Sequence, residues 1–134
     1  MSLRLLTFFG VCLLAACSTQ DAMPTAQEGE ALFATNCAAC HGYRGEGGEL
    51  VGGQSAPDLT MIAARNDGVF PRAYVLSRID GYEHREMSGQ VMPEFGAMML
   101  DPEMVPLVVD GVQTPTPRPM VALMLYLEEI QVSE

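Results

Sequence analysis

Cys37-Ala38-Ala39-Cys40-His41 is a C-x-x-C-H run, the spacing through which a haem is attached covalently to a chain. The chemistry sets the spacing. Two thiols three positions apart on one turn can each add to a vinyl group of the porphyrin, giving two thioethers. The residue after the second thiol then offers an imidazole nitrogen under the iron as proximal ligand. Parts of the same pattern serve two other chemistries. A redox-active dithiol uses C-x-x-C but sits in a βαβ context, and no strand-rich run precedes Cys37. Zinc takes about four ligands, whereas the other histidine is His84 and the remaining cysteines, Cys12 and Cys17, stand at the extreme N-terminus. The motif occurs once, so the expectation is one covalent haem c on Cys37, Cys40 and His41.

On the N-terminal side, residues 1–16 read as a targeting segment. Arg4 is a minimal positive start, and Leu5 to Leu14 is an apolar run of signal-peptide length, too short to cross a bilayer comfortably. Leu14-Ala15-Ala16-Cys17 resembles the lipobox of bacterial lipoprotein precursors, which implies a lipidated Cys17 and cleavage in front of it. An ordinary secretory signal cut after Ala16 would want a small residue where Leu14 stands. The expected organisation is a signal peptide at 1–16, a polar tether at 17–24 and a haem domain at 25–134. Cys17 then carries lipid, Cys37 and Cys40 carry haem, and no cysteine pair remains for a disulfide.

Without its first sixteen residues the chain is one small domain, and a covalent haem would supply much of its apolar interior. It contains no lysine; once Arg4 leaves with the signal, six arginines face seventeen Asp and Glu, a formal charge of −11. That balance argues against nucleic acid or an anionic membrane surface as partner. No acid–base constellation is visible, so an enzyme is not expected.

Helical signals begin at Thr25-Ala26-Gln27-Glu28, a capping-box spacing that predicts a helix to about Cys37. Gly42 to Gly53 is a glycine-rich loop that lacks the Lys-Ser/Thr of a phosphate loop. Asp58 is placed to cap a short helix over Leu59 to Asn66, stopped by Asp67-Gly68. Pro71 suits the first turn of another, ended by Gly81. Val105 to Val112 reads as extended, with a hairpin turn at Asp110-Gly111. A last helix is predicted with Thr116 as cap and Pro117 at its first position; Val121, Leu123, Met124, Leu127 and Ile130 form its apolar face.

From about Thr25 to Gln131 the chain resembles a class I c-type cytochrome, on four features beside the haem motif. Gly29-x-x-x-Phe33, with Leu123 and Tyr126, resembles the close crossing of that family's terminal helices. Ala56-Pro57-Asp58-Leu59 resembles its Pro-x-Leu segment, which implies that Pro57 orients His41 through a carbonyl and that Leu59 packs on the haem. Met92-Pro93-Glu94-Phe95-Gly96 resembles its Met-Pro-x-Phe loop, which implies Met92 as distal ligand in preference to Met87, Met98 or Met99. Leu76 to Gly81 is similar to the helix and glycine before that loop. His84, in the charged run Glu83 to Glu86, reads as surface. Arg65, Arg72, Arg78 and Arg85 are candidate partners for the propionates. The insertion between Asp101 and Pro119 departs from the family's pattern.

The resemblance implies an all-α fold around one haem, with a short hairpin near 105–114. It also implies haem ligation outside the cytoplasmic membrane, so the whole is expected to be an exported, membrane-anchored lipoprotein facing the periplasm. The expected function is single-electron transfer between redox proteins, with partners whose docking face is neutral or basic. Two other roles compete: the haem subunit of a larger oxidoreductase complex, and a ligand-binding haem protein with a displaceable sixth ligand.

Overall fold

The structure, a computed structural model, describes residues 23–82, 92–98 and 103–132. The first helix, α1, spans Ala26–Asn36, and Thr25 caps it as the spacing predicts: its Oγ1 accepts the Glu28 N–H at 3.2 Å. After Cys37 a single further turn, α2 (Ala38–His41), carries the haem motif and ends where Gly42 takes φ +73°. Gly48–Glu49 (β1) and Ser55–Ala56 (β2) then pair antiparallel inside the glycine-rich segment. Residues 59–63 form turns instead of the expected helix, followed by a 3-10 turn over Ala64–Asn66. Asp58 still caps this segment, accepting both the N–H and the hydroxyl of Thr60 at 2.8 and 2.6 Å, bonds that hold its carboxyl below the ordinary range. Asp67, in the left-handed region at φ 54°, ends it.

Helix α3 spans Arg72–Asp80, with Pro71 just outside as its cap and Gly81 at φ +92° as its stop. Strands β3 (Met104–Val109) and β4 (Val112–Pro117) form the second antiparallel pair. The expected helical fold is found, but all-α describes it only roughly, because the helices are accompanied by two small antiparallel sheets. The second is longer than the hairpin anticipated at 105–114. Most of its strand residues are β-branched or proline, poor helix formers, and Asp110 and Gly111 at φ 49° and 81° make the tight turn that such a hairpin needs. Pro106 faces Pro115, and Met104 faces Pro117. Counting out from the two-residue turn, these are the pairs whose backbone groups point away from the partner strand, so the prolines cost no ladder bond and blunt both edges.

The closing helix, α4 (Arg118–Glu129), starts one residue later than predicted, and Thr116 is no cap. Thr116 is buried in β4 and donates its hydroxyl to the Thr114 carbonyl, because pairing with Val105 holds it in the sheet. Helix α4 buries Met120 to Met124, Tyr126 and Leu127, the centre of a core shared with Phe33, Val75, Ile79, Phe95, Val105 and Leu107. It crosses α1 at Gly29. A Cβ there would lie 2.6 Å from the Ala122 carbonyl carbon and 2.8 Å from the Tyr126 Cβ, so only glycine allows this approach. Phe33 and Tyr126 then tilt together with ring centroids 5.2 Å apart. Two arginines tie the elements around that crossing. Arg72 grips Glu128 with two bonds, at 2.6 and 2.8 Å, and donates to the Val108 carbonyl at 2.7 Å, so α3, α4 and β3 meet on one guanidinium. Arg118 pairs with Glu28 and Glu103, each at 3.2 Å.

Candidate functional site

Helix α2 carries the two thiols and the imidazole on one turn, held by the His41 and Cys40 N–H groups donating to the Cys37 carbonyl at 3.0 and 3.1 Å. Cys37 is half-buried and Cys40 exposed, both as free thiols. Burial, and secondarily the Cys40 thiol beside it, push Cys37 up to about 11, so its sulfur keeps the S–H form. No strand precedes Cys37 among the described residues, which removes the context of a dithiol oxidoreductase. Among those residues no group of three or more His, Cys, Asp and Glu is placed to hold a metal ion, so the thiols lack the further donors that zinc requires.

His41 is buried, 8 % exposed, and its Nδ1 lies 3.2 Å from the Pro57 carbonyl oxygen. That oxygen can only accept, so Nδ1 carries the proton and the Nε2 lone pair is left for a metal. The chain reaches this arrangement through the glycine loop: the Gly47 N–H donates to the His41 carbonyl at 2.9 Å, and the Leu59 N–H donates to the Gly45 carbonyl at 2.7 Å. The resemblance implied the His41–Pro57 pairing, and the structure brings the two together across sixteen residues.

Leu59 packs against the core while half-exposed, as do Ile62, Phe70, Leu76 and Met92. Every residue from Leu59 to Ala64 is in this intermediate state, and five of the six are apolar. Met92 is held there by its loop: the Phe95 N–H donates to the Ile79 carbonyl at 3.0 Å and the Phe95 ring is buried. Gly96 sits directly on Asp80, where a Cβ would come within 2.7 Å of the backbone oxygen. Met98 is 65 % exposed. Met87, Met99, His84, Arg85 and the lipidation candidate Cys17 lie outside the described residues. Of the candidate propionate partners, Arg72 is already taken by Glu128, and Arg65 donates to the Asp58 carbonyl. An imidazole with Nε2 available, a thioether, two free thiols and a set of half-covered apolar side chains fit a covalently held haem.

Sequence reasoning missed Gln131. Its Nε2 donates to the Leu59 and Leu127 carbonyls at 2.8 and 2.6 Å, and its Oε1 accepts the Ala63 N–H at 2.8 Å. The Val132 N–H adds a bond to the Thr60 carbonyl at 3.0 Å. One amide thus pins the irregular 59–63 segment, which has no helix ladder of its own, to the end of α4. The signal available was weak: a polar residue one turn beyond Leu127. Gln131→Ala takes this partner from two carbonyls and an N–H, and should cost about 2 kcal/mol, read as a fall in the denaturation midpoint of the holoprotein. A groove of about 670 Å³ is lined by Tyr43, Arg44, Glu46, Tyr126 and Glu129 among others. None of Cys37, Cys40, His41 and Met92 lines it, so it is separate from this site.

Comparison with curated proteins and with solved structures returns no significant match. The family model described as Cytochrome c matches residues 26–110. The match begins at the first residue of α1, takes in the haem motif, Pro57, Leu59 and the Met92 loop, and stops in the hairpin turn before α4. With that match over more than half its length and a site of the required donor set, the chain belongs to the cytochrome c family, whose domain binds haem c covalently.

Proposed function

We propose that this chain is a monohaem electron carrier working at the periplasmic face of a membrane, with His41 and Met92 as the axial pair and Cys37 and Cys40 as the thioether anchors. The observation that carries the reading is the Nδ1 bond to Pro57, which leaves a buried imidazole with its Nε2 free on the same turn as two free thiols. When bound, the haem supplies a one-electron iron couple at a potential tuned by its axial ligands. The protein's own work is positional. Pro57 holds the imidazole in one tautomer and makes it a better donor. The bond from the Phe95 N–H and the seat of Gly96 on Asp80 hold the Met92 loop, and the thioether offered there is a soft, neutral ligand that favours the ferrous form. Leu59, half-buried against the core, would help keep water from the bound group.

The test is a visible spectrum and a potentiometric titration of the chain expressed with its export signal. The expected result is a low-spin c-type spectrum with a sulfur-to-iron charge-transfer band and a one-electron Nernst curve. Carbon monoxide binding by the ferrous wild type would overturn it in favour of a ligand-binding haem protein.

The lipobox-like Leu14-Ala15-Ala16-Cys17 supports an anchor, and no helix among the described residues is long and apolar enough to cross a membrane. Cys17 carries the lipid, and residues 18–24 tether the domain beside membrane-bound redox partners. Wild type should float with membranes and carry acyl mass at Cys17, and Cys17→Ser should lose both; a soluble wild type with a free N-terminal amine refutes the anchor. The formal −11 of the processed chain favours partners with a neutral or basic docking face, so electron transfer should slow as salt is raised.

A further inference from the structure

We propose that Gly47 is a positioning residue for the axial imidazole, setting the His41–Pro57 hydrogen bond by acting as a side-chain-free spacer between the two backbones that carry it. The inference rests on His41 being the proximal ligand. Gly47 touches both ends of that bond. Its N–H donates to the His41 carbonyl at 2.9 Å. Its opposite side lies against the Pro57 peptide: a Cβ would stand 2.6 Å from the Ala56 oxygen and 2.9 Å from both the Asp58 nitrogen and the Pro57 carbonyl carbon. All three neighbours are backbone atoms, so no side chain can swing away to make room. The next residue continues the restraint, because Gly48 pairs with Ala56 in the β1–β2 ladder.

The loop tip beyond that ladder is not under this constraint. Gly52 and Gly53 have φ of +94° and +78°, close to the +79° of Gly47, but a Cβ on either would meet nothing within 4 Å. Left-handed backbone alone is therefore common to all three glycines, and the contact with Pro57 separates Gly47 from the others. Alanine at 47 must push the Pro57 peptide off or rotate the His41 backbone. Either movement lengthens a ring-to-carbonyl bond that already spans 3.2 Å. An imidazole that loses this acceptor is a weaker donor, and ferric iron loses more by that than ferrous iron.

The experiment compares holoprotein wild type, Gly47→Ala and Gly53→Ala by potentiometric titration and by proton NMR of the His41 ring. Gly53→Ala should lower thermal stability through backbone strain and leave the midpoint potential where it was. Gly47→Ala should raise the potential and lose the slow solvent exchange of the His41 Nδ1 proton. A Gly47→Ala protein with wild-type potential and a protected ring proton overturns the proposal, as does a Gly53→Ala protein shifted equally. Where Gly47→Ala yields no holoprotein, hydrogen exchange in the wild type decides: the Gly47 amide and the His41 Nδ1 proton should open with the same denaturant dependence, and independent opening overturns the coupling. A wild type that lacks a histidine-ligated haem fails the underlying reading instead, and its spectrum shows this before any variant is compared.

Discussion

Met92→Ala should leave haem attached through Cys37 and Cys40, open the sixth iron position and lower the midpoint potential on the order of 0.1 V, within the roughly 0.8 V that axial ligands span. The direction follows from the ligand. A thioether is neutral and soft, so removing it withdraws more stabilisation from ferrous than from ferric iron. The ferrous variant should bind carbon monoxide, which the wild type should refuse. Met98→Ala is the control: it follows the same proline loop but is 65 % exposed, and should change neither property. The loop should survive the substitution, because its attachments to α3 run through the Phe95 N–H and the Gly96 backbone and not through the methionine. An unchanged ferric spectrum in Met92→Ala would remove Met92 from the iron.

Gly29→Val should be the most damaging single change to the fold, costing about 3 kcal/mol or more. The added Cβ meets the Ala122 carbonyl group and the Tyr126 Cβ, both fixed by α4, so the helices must separate for the side chain to fit. Separation uncouples the Phe33–Tyr126 ring contact and opens the most deeply buried part of the core, since Phe33, Val121, Leu123 and Met124 are all nearly inaccessible. At roughly 4–8 °C per kcal/mol for a domain of this size, the melting temperature should fall by more than about 10 °C, measured by circular dichroism of the holoprotein. Gly29→Ala should fall in the same direction by less. A valine variant that melts with the wild type would mean that the helices do not cross at this residue.

How much was legible beforehand divides by the range of the interaction. Cys37, Cys40 and His41 declare their chemistry through five consecutive residues. Thr25 and Glu28, Gly81, and Asp110-Gly111 likewise act within one turn, where propensity and hydrogen-bond reach are nearly independent of the rest of the molecule. The boundary errors have the complementary cause. Thr116 has the composition of a helix cap, but pairing with Val105 draws it into the sheet. The 59–66 segment has the composition of a helix, yet it folds as turns because Gln131 and Val132 take up backbone groups that a helix would have satisfied internally.

By itself the sequence pointed to the residues proposed to hold a haem, and determined that helices open and close the described domain and that a hairpin precedes the last of them. Those facts rest on motifs a few residues long. Only the tertiary structure decided that Gln131 is a clamp, that Arg72 is spent on Glu128 fifty-six residues away, and that Gly47 separates His41 from Pro57. The physical reason is that glutamine, arginine and glycine are chemically unspecific: each serves many purposes, and its role is chosen by whichever groups the fold brings within about 3 Å.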